Sequence, residues 1–108
     1  MADYFYNVEN TNKLSKLQEI KPDLFQAYRD FTNKVFTDGA LSTRVKELIA
    51  VATAHITQCP YCIASHTKKA KQAGASDAEI AEAIFVAIAL RAGGSFAHST
   101  IAIEALEK

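Results

Sequence analysis

Cys59, Cys62, His66 and Glu47 are the side chains in this sequence whose types and spacing best suit chemistry. A pair written C-x-x-C can alternate between dithiol and disulfide, and the attacking species is the thiolate. If the chain is helical from about residue 60, Cys59 lies at the N-cap or first position. Cys62 and His66 then follow on the same face, three and four residues apart. Unpaired N–H groups at a helix start favour a sulfur anion, so a lowered thiol pKa is expected. His66 can accept or return a proton near neutral pH, and geometry makes Cys62 its natural partner. Along its own helix face Glu47 looks onto Ala50, Val51 and Ala54, where a carboxylate is costly unless paired. An imidazole supplies that partner, which predicts a relay from Glu47 through His66 to Cys62, directly or by way of a water.

Each residue also has a plainer interpretation. Glu47 alone is more often an exposed partner for Arg44 or Lys46, and His66 with Lys68 and Lys69 is more often a solvated face. His55, inside an apolar helix, is expected to be a satisfied core histidine. His98 follows two glycines and suits a cap or an interface, so no catalytic role is assigned to it. Pro60 and Tyr61 can serve simply to shape the turn. The combination is more specific than any of its members.

These side chains need elements to hold them, and the pattern is helical throughout. Pro22 suits a first turn, and Leu24, Phe25, Tyr28, Phe31 and Val35 share roughly one face until Thr37-Asp38-Gly39 ends the run. Ser42 is a plausible N-cap for a helix to about Thr57, whose stretch from Leu48 to Ile56 is apolar enough to expect protein all round it. A third helix should start at Cys59 or Pro60 and stop at Gly74. Ser76-Asp77-Ala78-Glu79 has the form of a capping box and opens a helix through Leu90. Gly93-Gly94 is expected to break the chain before a last helix from about Ser95 to Leu106. A further turn falls around Leu14 to Ile20. The fold class is therefore all-α, one helical bundle of about five to six helices, with residues 1–108 as one domain and a core at about 20–105.

The four letters CPYC also form the active site of glutaredoxins, but those place the dithiol after a β-strand. Here an Ala-rich helix precedes it, so the match fails on context. A longer pattern fits better. Glu47, Cys59, Cys62 and His66 satisfy E-x11-C-x2-C-x3-H, which resembles the signature of AhpD-like proteins in the carboxymuconolactone decarboxylase family. The resemblance continues through Gly74 and the small-residue run AEAIFVAIALRAGG. It implies an all-helical fold, homo-oligomers built of trimers (trimers or hexamers), and thiol chemistry of alkylhydroperoxidase type. It further implies a small-molecule hydroperoxide as substrate and a lipoyl- or thioredoxin-like dithiol as reductant, with no bound cofactor. Better-known members resemble C-S-H-C at the dithiol, whereas this chain has Tyr61 before its second cysteine, and it is about half the length of the two-repeat relatives.

Composition narrows the partners. Lys and Arg total 12 and Asp and Glu total 12, so there is no basic footprint for nucleic acid or an anionic membrane. The stretch MADYFYNVEN carries acids where a secretory signal would be basic, and the longest uninterrupted apolar run, Ala83 to Leu90, is too short to span a bilayer. A cytoplasmic location is expected, where C-x-x-C serves redox or metal chemistry rather than a staple. The apolar girth of the helix from Ile80 to Leu90 leads to the expectation of a subunit interface. Three other functions compete with the peroxidase. A decarboxylase of the wider family would not need the dithiol. A zinc site from Cys59, Cys62 and His66, with Glu47 or His55, has only one ligand couple where structural sites pair two. The last is an oligomeric scaffold with vestigial cysteines.

Overall fold

The computed structural model describes residues 6–108, so the first five residues of the acidic N-terminal stretch lie outside the described residues. A 3-10 segment, Val8–Lys13, leads into α1 (Leu14–Ile20), α2 (Pro22–Val35), α3 (Thr43–Thr57), α4 (Pro60–Gln72) and α5 (Asp77–Leu106). Among the described residues there is no strand.

The chain punctuates these helices with caps. Ser42 accepts a hydrogen bond from the N–H of Val45 at the start of α3, and Ser76 and Glu79 exchange hydrogen bonds as a full capping box at the start of α5. Between α3 and α4 the reversal is made by Gln58 in the left-handed region, φ 60°, with Cys59 N–H returning to the carbonyl of Ala54 at 3.2 Å. That tight reversal leaves Cys59 as the N-cap of α4 and Pro60 as its first residue. Gly74, at φ 97°, stops α4, a conformation that strains any residue with a Cβ.

The core lies where α3, α4 and the first half of α5 meet. Val51, Ala70, Ala75 and Ile80 are buried there, with Leu48 and Ile84 packed against them. By contrast α2 packs on α1, and the 3-10 segment leans on α4, leaving a cleft between the N-terminal elements and the core. The apolar face of α2 that the sequence marks out is consequently open, with Leu24, Tyr28 and Phe31 exposed.

Two expectations are corrected. Gly93-Gly94 does not break the chain, because α5 runs unbroken through both. Neither glycine takes the positive φ of a helix stop and no proline follows. Alanine-rich turns on both sides therefore carry the helix across a loss of roughly 1 kcal/mol per glycine. Continuity also makes α5 long and apolar enough, by length and composition, to cross a bilayer, which the uninterrupted apolar run did not suggest. Its first half is instead packed on α3 through Ile80 and Ala87. Likewise α3 is not enclosed on all sides: Glu47, Val51 and Ala54 are buried while Ile49, Thr53 and Ile56 remain exposed.

Candidate active site

Glu47 sits near the start of α3 with only 4% of its surface exposed. Its Oε1 accepts a 2.6 Å hydrogen bond from His66 Nδ1 on α4. The other charges of α3 are engaged elsewhere, so the exposed alternative for Glu47 is not what the chain adopts. Arg44 pairs with Glu79 of α5, and Lys46 donates to the carbonyl of Thr37 at 2.7 Å. A carboxylate can only accept, so Nδ1 carries the proton and Nε2 is left as the basic nitrogen. Phe36 stacks on one face of the ring, centroids 5.1 Å apart and planes 24° apart. Thr43 holds that phenylalanine by donating to its carbonyl at 2.7 Å. The imidazole is therefore fixed in tautomer and in plane.

The sulfurs form the second half of the site. Both cysteines are free and partly buried. Cys59 Sγ, at the N-cap, accepts the N–H of Cys62 at 3.2 Å. The Cys62 thiol is hydrogen-bonded to the sulfur of Cys59, and this contact first, then burial, pushes its pKa up to about 11. The lowered pKa expected of a helix start is therefore not found at Cys62. The N-terminal N–H is directed at Cys59, and its pull on Cys62 is outweighed by the neighbouring sulfur and by desolvation. At neutral pH such a thiol needs a base to become a nucleophile.

Cys62 and His66 line a largely apolar cavity of about 550 Å³ together with Phe36, Ile49 and Ala54. They also line a second, more polar cavity of about 510 Å³ that opens toward α2. The sequence-derived quartet is brought together as two pairs, Glu47 on His66 and Cys59 on Cys62, with Cys62 and His66 lining the same cavities. His55 is not part of it, since its Nδ1 lies 2.7 Å from the Val51 carbonyl, and His98 is exposed on the second half of α5. Among the described residues no three His, Cys, Asp or Glu side chains converge to hold a metal ion. Phe36 was not legible as a site residue, since a loop aromatic carries no periodic signal. Tyr61 adds a further aromatic contact, edge-on to Tyr6 at 6.1 Å.

Comparison with known proteins shows the family. The model of the carboxymuconolactone decarboxylase family matches residues 22–105. The chain is 49% identical over 82 residues to an uncharacterized protein of the cox locus of Paracoccus denitrificans, covering 76% of this chain and 74% of that one. A carboxymuconolactone decarboxylase family protein from Legionella pneumophila, solved in its apo form, superposes with a TM-score of 0.74 at 32% identity, over 92% of this chain and 88% of that one. A crystal structure from Methanobacterium thermoautotrophicum gives the same TM-score of 0.74 and 32% identity, over 79% and 96%. A family model spanning most of the chain, together with solved neighbours at 32% identity, means that the chain belongs to the carboxymuconolactone decarboxylase family as an AhpD-like member.

Proposed function

We propose that the protein is a thiol-dependent peroxidase of alkylhydroperoxidase type, and the observation that carries this is the 2.6 Å Glu47–His66 pair set beside the Cys59–Cys62 dithiol. Because the Cys62 thiol is pushed up to about 11, it requires a base, and Nε2 of His66 is available for that role. The proton moves from Cys62 to His66, and Glu47 stabilises the imidazolium formed. The thiolate attacks the terminal oxygen of a hydroperoxide; the S–O bond forms as the O–O bond breaks, and the departing alkoxide takes the proton from His66 to leave as alcohol. Cys62 is then a sulfenic acid. Cys59, whose sulfur already faces it, displaces the hydroxyl as water and closes the disulfide. An external dithiol supplies two electrons and two protons by exchange and regenerates the pair. A lipoyl- or thioredoxin-like donor fits this last step.

Assembly belongs to the same proposal. Phe85 and Phe96 fall on one exposed face of α5. We assign it, with the open face of α2, to contacts between copies of this chain in a trimer or hexamer. The functional test is paired. Cys62→Ser should abolish both peroxide consumption and disulfide formation, while Cys59→Ser should keep a single turnover that stops at the sulfenic acid. The opposite pattern would exchange the roles of the two thiols. Lactone decarboxylation by a double Cys→Ser variant would replace the peroxidase with the lyase chemistry after which the family is named.

A further inference from the structure

The cavities on either side of Cys62 differ in character, and that difference bears on the substrate. The two share Phe36, Cys62 and His66 as lining residues, so they adjoin at the reactive thiol. On one side Val35, Ile49, Ala50 and Ala54 give an apolar wall, whose one charged residue, Lys46, is tied to the Thr37 carbonyl. On the other side the lining includes Arg29 of α2 and Lys69 of α4. Among the described residues neither cation has a carboxylate partner, and the one carboxylate in that wall, Glu47, is buried against His66. Lys69 lies seven residues after Cys62, on the face of α4 that carries Ser65 and His66, so its charge belongs to the site and not to the far side of the helix. Each cavity is of a size that holds a small organic molecule.

We propose that the site takes an amphipathic hydroperoxide with a carboxylate head, an oxidised fatty acid in chemical class. Its carboxylate lies between Arg29 and Lys69, its apolar chain lies against Ile49 and Ala50, and its hydroperoxide group is held at Cys62. This rests on the peroxidase proposed above and adds the substrate class to it. A carboxylate recruits both cations through charge-assisted hydrogen bonds, which a neutral alkyl hydroperoxide leaves unmade. Arg29 and Lys69 are binding residues here and take no part in the proton transfers.

The experiment compares a fatty-acid hydroperoxide with its methyl ester, using the full-length protein and the Arg29→Gln/Lys69→Gln double variant. Both side chains are exposed, so the variant should fold, which its thermal melt checks. The expected result is a kcat/KM for the acid about tenfold above that of the ester, with the ratio falling to near one in the variant and falling with added salt in the wild type. Equal rates for acid and ester in the wild type, or an unchanged ratio in the variant, would overturn the assignment. A parallel calorimetric titration with decanoate and decanol keeps the two proposals distinguishable. If neither hydroperoxide is consumed, the peroxidase falls. The carboxylate site then stands if decanoate binds the wild type about tenfold more tightly than decanol and the variant loses that margin. It falls with the peroxidase if the two bind alike or not at all.

Discussion

At the scale of single residues, the structure denies Cys62 an easy ionisation, and the proposed mechanism has His66 supply the base it lacks. The thiol sits against another sulfur and partly out of water, and both effects favour the protonated form. In that mechanism reactivity depends on the imidazole, whose tautomer and plane are set by Glu47 and Phe36. Glu47→Gln should keep an acceptor for Nδ1 but remove the charge that stabilises the imidazolium. The expected loss is about 10- to 100-fold in kcat/KM for peroxide, below the full range of general acid–base catalysis. Steady-state kinetics with the fold checked by circular dichroism would measure it. The raised thiol pKa also has a sign in stability. The folded state holds the Cys62 proton more tightly than the unfolded chain, so this contribution is complete below an ordinary thiol pKa and is lost as pH rises toward about 11. Thermal melts of wild type and Cys62→Ala should therefore converge as the pH is raised through that window.

At the scale of elements, the caps decide where the chemistry is placed. Cys59 is the N-cap of α4 because Gln58 turns the chain in the left-handed region directly after α3. Ser76→Ala removes the hydroxyl that accepts from the Glu79 N–H at the start of α5, leaving the return bond from the Ser76 N–H, and should cost about 1 kcal/mol in a denaturant melt. Gly74→Ala, which meets no steric neighbour but is held at φ 97°, should cost a similar amount, about 1 kcal/mol, through backbone strain. Acid should weaken the same region. Thr43 lowers the carboxyl of Asp38, Lys71 that of Asp77, and the backbone of Ser76 that of Glu79. A carboxyl lowered by folding stabilises above its unfolded pKa and stops doing so as pH falls, so the melting temperature should drop through the carboxylate range. Much of this scale was legible in advance. Pro22, Ser42, Ser76 and Gly74 each carry a local signal that fixes a helix end within a residue or so. The glycine pair at 93 and 94 misled because its breaking tendency is weak and its helical flanks are strong. The pairing of Glu47 with His66 was readable because an apolar face leaves a carboxylate few partners. The hydrogen bond from Cys62 to Cys59 was not, since it depends on the local turn at Gln58.

Over the whole molecule, the dimensions and the exposed apolar residues leave a single chain extended, with much apolar surface uncovered. The radius of gyration is 18.1 Å, where a compact domain of this length would show about 13 Å. Extended shape and exposed apolar surface have a common cause: α2 stands off from the core, and the second half of α5 projects beyond it with Phe96 82% exposed. Copies of the same chain are the occupants we assign to these faces, and light scattering at micromolar concentration should report a multiple of the single-chain mass. Phe96→Asp should shift that mass toward the monomer while leaving the packed core at Val51 and Ile80 untouched. A wild-type monomer that stays in solution would contradict the assignment, and one recovered only with lipid or detergent would turn it toward a bilayer.

The central claim is that His66, held by Glu47, takes the proton of a thiol that would otherwise keep it. Its most direct test is the rate of Cys62 oxidation by an organic hydroperoxide as a function of pH, in wild type and in His66→Asn. The wild type should react fully near neutral pH. The variant should be slower at pH 7 by about 10²- to 10⁴-fold and should recover only as pH climbs toward about 11, where the thiol ionises unaided. Two superimposable profiles would show that the imidazole has no part in the chemistry.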